Sequence, residues 1–249
     1  VTDDKILPIL KVHPDQLAPQ ALVVGDPERA AAAAELLDDA EEIGFFREYR
    51  TFTGTFAGTP VTIASHGVGG SGASACFDEL MQGGVKTIIR AGTCGAMRPG
   101  IKDGELIIGT GAIREDGASQ YLMPMAYPAV PDRHLIAALD AATANLGAVA
   151  HEGIILTQGY FYNGVLPNGV DTWLKYPVDV AAVEMEYATL LIVASLYGVR
   201  AGGIFTSDGN MTEEADPEAY DPHRDVVREG VQTMLKVALT ALTRLTSDG

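Results

Sequence analysis

The chain reads as an α/β protein with a mixed sheet, and three observations point there. Short Val- and Ile-rich runs alternate with helical patterns along the whole sequence. Two early aromatic segments, 45–50 and 52–56, read as an antiparallel hairpin or edge pair, which an all-parallel sheet would lack. The 249 residues, 47% of them hydrophobic, are enough for a sizeable core in one domain over 1–249.

Taken in order, Leu22-Val23-Val24 marks a strand over 21–24 that runs through Gly25 into a helix over 27–37. Asp26 is its N-cap, Pro27 fits its first turn, and Ala30 to Ala34 is good helix sequence. Apolar runs predict further strands over 60–65, 87–91, 106–110, 154–157, 180–185 and 201–206. Helical periodicity predicts helices over 71–82, 132–146, 186–197 and 226–245. The segment 210–221 is acidic, aperiodic and contains Pro217, and reads as a loop beside a site.

Charge and composition narrow the function. With 17 Lys+Arg against 33 Asp+Glu, the formal net charge of -16 argues against general nucleic-acid or anionic-membrane binding. Cys76 and Cys94 are too few for a disulfide framework and too far apart for a metal-binding CxxC, so no metal site is expected. The sequence begins without the basic and apolar regions of a signal peptide, and its longest apolar run, near 190–199, is too short to span a bilayer. A cytoplasmic protein is the expectation.

Four strand ends and one carboxylate pair carry candidate chemistry. Val183-Glu184-Met185-Glu186-Tyr187 sets two acids around a thioether between apolar runs. Such acids either open a helix, where the macrodipole favours them, or meet donors in the interior or on a ligand. Gly25-Asp26-Pro27-Glu28-Arg29 places a glycine and a cation at a helix N-terminus, a natural phosphate cradle or simply a strand-to-helix turn. Arg90-Ala91-Gly92-Thr93 adds a guanidinium and a hydroxyl at another strand end. Ser207-Asp208-Gly209 ends the last strand with a carboxyl able to donate a proton, or with a plain Asp-Gly turn. His66-Gly67-Val68-Gly69-Gly70-Ser71-Gly72 satisfies G-x-G-x-x-G, but the following strand ends in Arg90 instead of the acid that NAD sites use, leaving an NADP oxidoreductase as a reading.

In this order, the motifs around Gly25, Phe46-Arg47-Glu48-Tyr49, Ser65-His66-Gly67, Arg90 to Gly95, Val183 to Glu186 and Ser207-Asp208 resemble the hexameric nucleoside phosphorylases, purine and uridine enzymes alike. The resemblance covers nearly the whole chain. It implies a three-layer α/β/α fold around a central mixed twisted sheet, phosphorylase/hydrolase-like, assembled as a homohexamer, a trimer of dimers. It implies inorganic phosphate as co-substrate, with no cofactor, held by Gly25, Arg29, Arg90 and Thr93 together with Arg47 from the adjacent subunit. Glu186 would take the ribose hydroxyls with Met185 on the sugar and Glu184 beside it, and Phe161, Ser207 and Asp208 would face the base. The implied reaction is phosphorolysis of the N-glycosidic bond, in nucleoside salvage.

Two details bear on substrate. Uridine phosphorylases carry a Gln-x-Arg pair shortly after the aromatic, and 162–168 holds neither residue, whereas Asp208 resembles the purine branch. Thr93 and Arg114-Glu115-Asp116-Gly117-Ala118-Ser119 look like either branch. Counting back from Gly25, Ile9 falls where the resemblance implies a histidine from the neighbouring subunit on the ribose 5′-hydroxyl, with His13 four residues further on, and an apolar residue there favours a 5′-deoxy or 5′-methylthio group. A nucleosidase would need no triple-arginine anion site, and a non-catalytic binding protein would have no need to keep Asp208 and all three arginines.

Overall fold

A computed structural model describes residues 6–162, 169–213 and 221–244. The elements run β1 (Gln20–Val24), α1 (Pro27–Ala34), β2 (Asp38–Phe46), β3 (Tyr49–Phe56), β4 (Thr59–Ser65), α2 (Gly70–Gln82), β5 (Thr87–Ala96), β6 (Leu106–Glu115), α3 (Ala118–Leu122), α4 (Arg133–Asn145), β7 (Ala150–Gln158), α5 (Val170–Trp173), β8 (Val180–Glu184), α6 (Tyr187–Tyr197), β9 (Arg200–Asn210) and α7 (Asp225–Arg244). The strands form one mixed sheet in the order β2-β3-β4-β1-β5-β8-β7-β6-β9.

Alternation along the central strands builds the three layers. Ala21, Val23 and Ile88 face a cluster with Phe77 and Leu80 of α2 and Leu190 to Ala194 of α6. Leu22, Val24 and Ile89 face the other way, onto α1, α4 and α7 through Ala30, Leu139, Leu235 and Leu242. Period-two alternation therefore covers both faces of the sheet, as buried parallel strands require. Residues 187–194 of α6 are all buried, which accounts for the longest apolar run in the chain. Gly198, at φ 65°, ends that helix in the left-handed conformation that a side chain would resist.

The sheet also closes on itself at one side. Strand β9 pairs with β6 at the end of the order and with β5 near its middle, so β5, β8, β7, β6 and β9 form a ring. Tyr187 fills the inside of this ring. Its ring is fully buried edge-on to Phe205 at 5.3 Å, and its hydroxyl donates to the Gly109 carbonyl at 2.9 Å. Gly109 of β6 and Gly203 of β9 lie against the ring's two edges; a Cβ on Gly203 would fall 2.6 Å from the Tyr187 Cε2 atom. The glycines in these strands are thus the space an aromatic ring occupies.

Several boundaries differ from those expected. The segment 45–50 is not one strand: β2 ends at Phe46, Phe46 pairs with Tyr49, and Arg47-Glu48 is a two-residue turn with Arg47 at φ 57°. Strand β2 went unread before residue 45 because Asp38, Asp39, Glu41 and Glu42 are exposed, giving a charged edge strand with no hydrophobic pattern. The first helix stops at Ala34, and 35–37 continue as tighter turns, Leu36 to Ala33 and Leu37 to Ala34. Strands β5, β6 and β9 run past their predicted ends, because glycines and polar residues hid the continuation. Residues 163–168, and 214–220 of the acidic segment, lie outside the described residues. No described helix is long and apolar enough to cross a membrane.

Replacing Gly203 with alanine should destabilise the protein by about 1–3 kcal/mol, since the added methyl meets a ring fixed by its hydroxyl and by Phe205. Urea denaturation of G203A checks this; a midpoint equal to that of the unmutated protein contradicts the packing described.

Candidate active site

The carboxyl ends of the central strands deliver the site. Val24 leads into Gly25, Ser65 into His66, and Glu184 into Glu186, while Arg90 lies within β5. Arg90 is the hub. Its Nη2 forms an ion pair with Glu184 Oε2 at 2.9 Å and donates to Glu186 Oε2, and all three side chains are almost completely buried. The guanidinium also lies 5.5 Å from the centre of the Phe205 ring. Burial alone would lower its pKa, but Glu186 and Glu184 outweigh this and hold it above its ordinary value.

Gly92 makes that position possible. Two residues on from Arg90, it lies on the same face of the strand, and a Cβ there would collide with the Arg90 Nη1 atom. The Arg90-Ala91-Gly92 motif is therefore a side chain folded over a glycine. Arg90 Nε and Nη1 are buried and have no hydrogen-bond partner among the described residues.

The two glutamates do different work. Glu184 accepts from Thr157 Oγ1 at 2.7 Å, from the Glu186 amide at 2.8 Å and from the Tyr187 amide at 2.9 Å and 3.0 Å. It thus caps the start of α6 and holds the backbone that carries Glu186. Burial pushes its carboxyl up, against Arg90; every partner is a donor, the pattern of an ionised carboxylate. Glu186 uses Oε1 to accept from the Gly69 amide at 2.5 Å and Oε2 to accept from Arg90. Met185 lies between them, half-buried.

The anion-binding candidates are partly gathered. Asp26 caps α1, accepting from the Glu28 amide at 3.0 Å, and Arg29 follows, half-buried. Burial lowers the Arg29 pKa, with Asp26 and Asp208 opposing and Arg90 adding to it, so Arg29, Arg90 and Asp208 share one electrostatic neighbourhood. Gly25 faces the Gly67 carbonyl and the His66 ring. Thr93, half-buried, sits opposite Thr206 in the β5–β9 register. Arg47 stands apart on the β2–β3 turn, exposed, its guanidinium 5.2 Å from the Phe46 ring centre.

Asp208 is not in a turn. Cys94 pairs with Ser207 and Gly95 with Gly209, so Asp208 is the extra residue of a bulge in β9. A bulge re-aims a side chain, and Asp208 remains 8% exposed at the end of the sheet that carries Gly25 and Arg90. Its carbonyl accepts from Arg224 at 3.0 Å, and the Ser207 hydroxyl donates to the Gly209 carbonyl at 3.3 Å. Phe161 is exposed and meets Tyr162 edge-on at 5.0 Å. Among the described residues, no group of His, Cys, Asp and Glu is arranged to hold a metal ion.

Some contributors leave little trace in the sequence. Thr157, at the end of β7, donates to Glu184 and accepts from the Ala188 amide at 2.9 Å, coupling strand to helix. Its signal was a hydroxyl closing an apolar strand run. The Gly69 amide had none, because a backbone donor leaves no trace in residue type. Within the run from Gly67 to Gly72, a Cβ at Gly67 would fall 2.7 Å from Glu48 Cγ and one at Gly70 would collide with the Thr189 hydroxyl, whereas Gly69 faces open space.

The chain is similar to known proteins over most of its length. The chain is 36% identical over 238 residues to purine nucleoside phosphorylase of Plasmodium vivax, covering 95% of each chain. It is 40% identical over 199 residues to uridine phosphorylase of Thermococcus kodakarensis, covering 76% of this chain and 72% of that one. The crystal structure of purine nucleoside phosphorylase from Toxoplasma gondii in complex with immucillin-H superposes with a TM-score of 0.93 at 31% identity, covering 100% of both chains. The family model described as Phosphorylase superfamily matches residues 19–243, and the chain belongs to that superfamily.

Proposed function

We propose that the protein is a phosphate-dependent nucleoside phosphorylase that prefers purines and acts as a homohexamer in the cytoplasm. The observation that carries this reading is the buried Arg90–Glu186 contact, which sets an anion binder and a diol acceptor on one another. Relatives named for purine and for uridine substrates both match, so the purine preference rests on Asp208.

In this reading Arg29, the Arg90 Nε and Nη1 donors, Thr93 and the Gly25 backbone bind phosphate, with Arg47 reaching in from the adjacent subunit. An exposed arginine on a hairpin tip suits that role. Glu186 accepts from the ribose hydroxyls, Met185 packs on the sugar and Phe161 covers the base. A phosphate oxygen forms the bond to C1′ while the C1′–N9 bond breaks, its electron pair leaving with the base. Asp208 donates a proton or hydrogen bond to N7, so the purine departs without full negative charge. Positioning of the nucleophile below the ring supplies much of the rest.

Ile9 bears on the 5′ group. Its amide is tied to Glu79 Oε1 at 2.8 Å, and its side chain is half-buried against the α2 and α6 core, so the residue presents an apolar surface. That supports a 5′-deoxy or 5′-methylthio substituent.

Three outcomes check these assignments. D208N should lose about 10²- to 10⁴-fold in kcat/KM on inosine or guanosine, as loss of a general acid does, and full activity there would remove the acid role. G92A should raise the KM for phosphate and lower kcat/KM for nucleoside by about tenfold or more, because the methyl displaces the guanidinium from Glu186; unaltered constants would separate Arg90 from the site. Finally, 5′-methylthioinosine should be cleaved at least as efficiently as inosine, compared by kcat/KM with and without phosphate. A clear preference for inosine counts against Ile9 as the determinant, and uracil as the only base released from a nucleoside panel overturns the purine assignment.

A further inference from the structure

His66 has no part in the chemistry above, yet it is completely buried in the middle of it. Its Nδ1 lies 2.8 Å from the Gly67 carbonyl oxygen. A carbonyl only accepts, so Nδ1 carries the hydrogen. Nε2 is then the bare nitrogen of a neutral ring; it is buried and meets no hydrogen-bond partner in the described structure. Protonation would leave an unpaired N–H there, close to two arginine charges, which is costly. Burial, then Arg90, holds the imidazole well below its ordinary pKa. The ring is wedged edge-on against Phe77, centres 5.2 Å apart, and cannot turn freely.

The carbonyl it holds belongs to a turn whose two ends serve the two halves of the site. At one end, His66 N donates to Val24 O and Gly67 N to Gly25 O, each at 2.9 Å, fixing the turn to the glycine that follows β1. At the other, the Gly69 amide donates to Glu186 Oε1. Gly67 and Gly69 have φ of 73° and 91°, values open to glycine and easily lost without a restraint. Between the two ends, the Nδ1–H bond to Gly67 is the side-chain contact that sets the orientation of the Gly67–Val68 peptide.

We propose that His66 is a positioning residue: as the neutral Nδ1–H tautomer it locks the Gly67–Val68–Gly69 turn, so that the Gly69 amide orients Glu186 toward the sugar hydroxyls. The kinetic side of this rests on the phosphorylase reading, while the tautomer does not. Asparagine places an amide nitrogen where Nδ1 stands, so H66N can remake the bond; phenylalanine fills the same space and cannot.

The test has two arms. In H66F the KM for nucleoside at saturating phosphate should rise about tenfold or more, with the KM for phosphate changed less than about twofold, and H66N should restore nucleoside KM to within about threefold of the parent enzyme. A nucleoside KM in H66F equal to the parent's, or equal losses in H66F and H66N, would overturn the proposal. Independently, ¹⁵N NMR of the unmutated protein labelled at histidine should show the His66 proton on Nδ1 at neutral pH; an Nε2–H or doubly protonated ring overturns it even where a variant fails to fold. Absence of phosphate-dependent base release by the parent enzyme would refute the function while leaving the NMR result to decide the tautomer.

Discussion

The site depends on one guanidinium shared by two buried carboxylates. Arg90 is ion-paired with Glu184 and hydrogen-bonded to Glu186 in a buried place where an unpaired charge would be costly. Removing one member of such a buried group typically costs about 3–5 kcal/mol, because the remaining charge has no water to fall back on. The three residues therefore stand or fall together. Their positions fix the start of α6, the face of β5 and the glycine turn after β4.

The surrounding packing exists to keep that triad in register. Tyr187 follows Glu186 directly, and its ring is anchored inside the closed part of the sheet by Gly109, Gly203 and Phe205. Glu184 binds the Tyr187 amide, so the acid that stabilises Arg90 also fixes the first residue of the helix. Thr157 joins β7 to the same point. A side chain held by several rigid elements loses little entropy on meeting a ligand, and this is the physical content of preorganisation.

What the sequence disclosed follows from range. The start of α1 was legible because Asp26 and Pro27 are local signals, and the α/β class because apolar strand runs and helical periodicity are local too, whereas the three layers came only from the family resemblance. The partition of labour between Glu184 and Glu186 was legible only in outline, since it is decided by Thr157, the Gly69 amide and Arg90, all distant in sequence. Nothing local announces that Gly109 and Gly203 make room for Tyr187, or that Asp208 is a bulge and not a turn. The β2–β3 turn was misplaced because aromatic content near Phe45 outweighed the Arg47-Glu48 pair that reverses the chain.

The way Arg90 spends its donors has a consequence for how the two substrates act on one another. Nη2 is shared by the glutamates, while Nε and Nη1 meet no partner among the described residues. Under the proposed reading, phosphate can take the latter without displacing the former, so one planar ion touches both the anion and the diol acceptor. Phosphate draws part of the positive charge away from Glu186, which becomes a stronger acceptor for the sugar hydroxyls. The effect is reciprocal, because a coupling free energy between two bound ligands has no direction. A lysine would not serve here: its point charge cannot bridge two carboxylates and still present separate planar donors to an anion. Under the proposed reading, the arginine at position 90 is thus required by the pairing of substrates as well as by the fold.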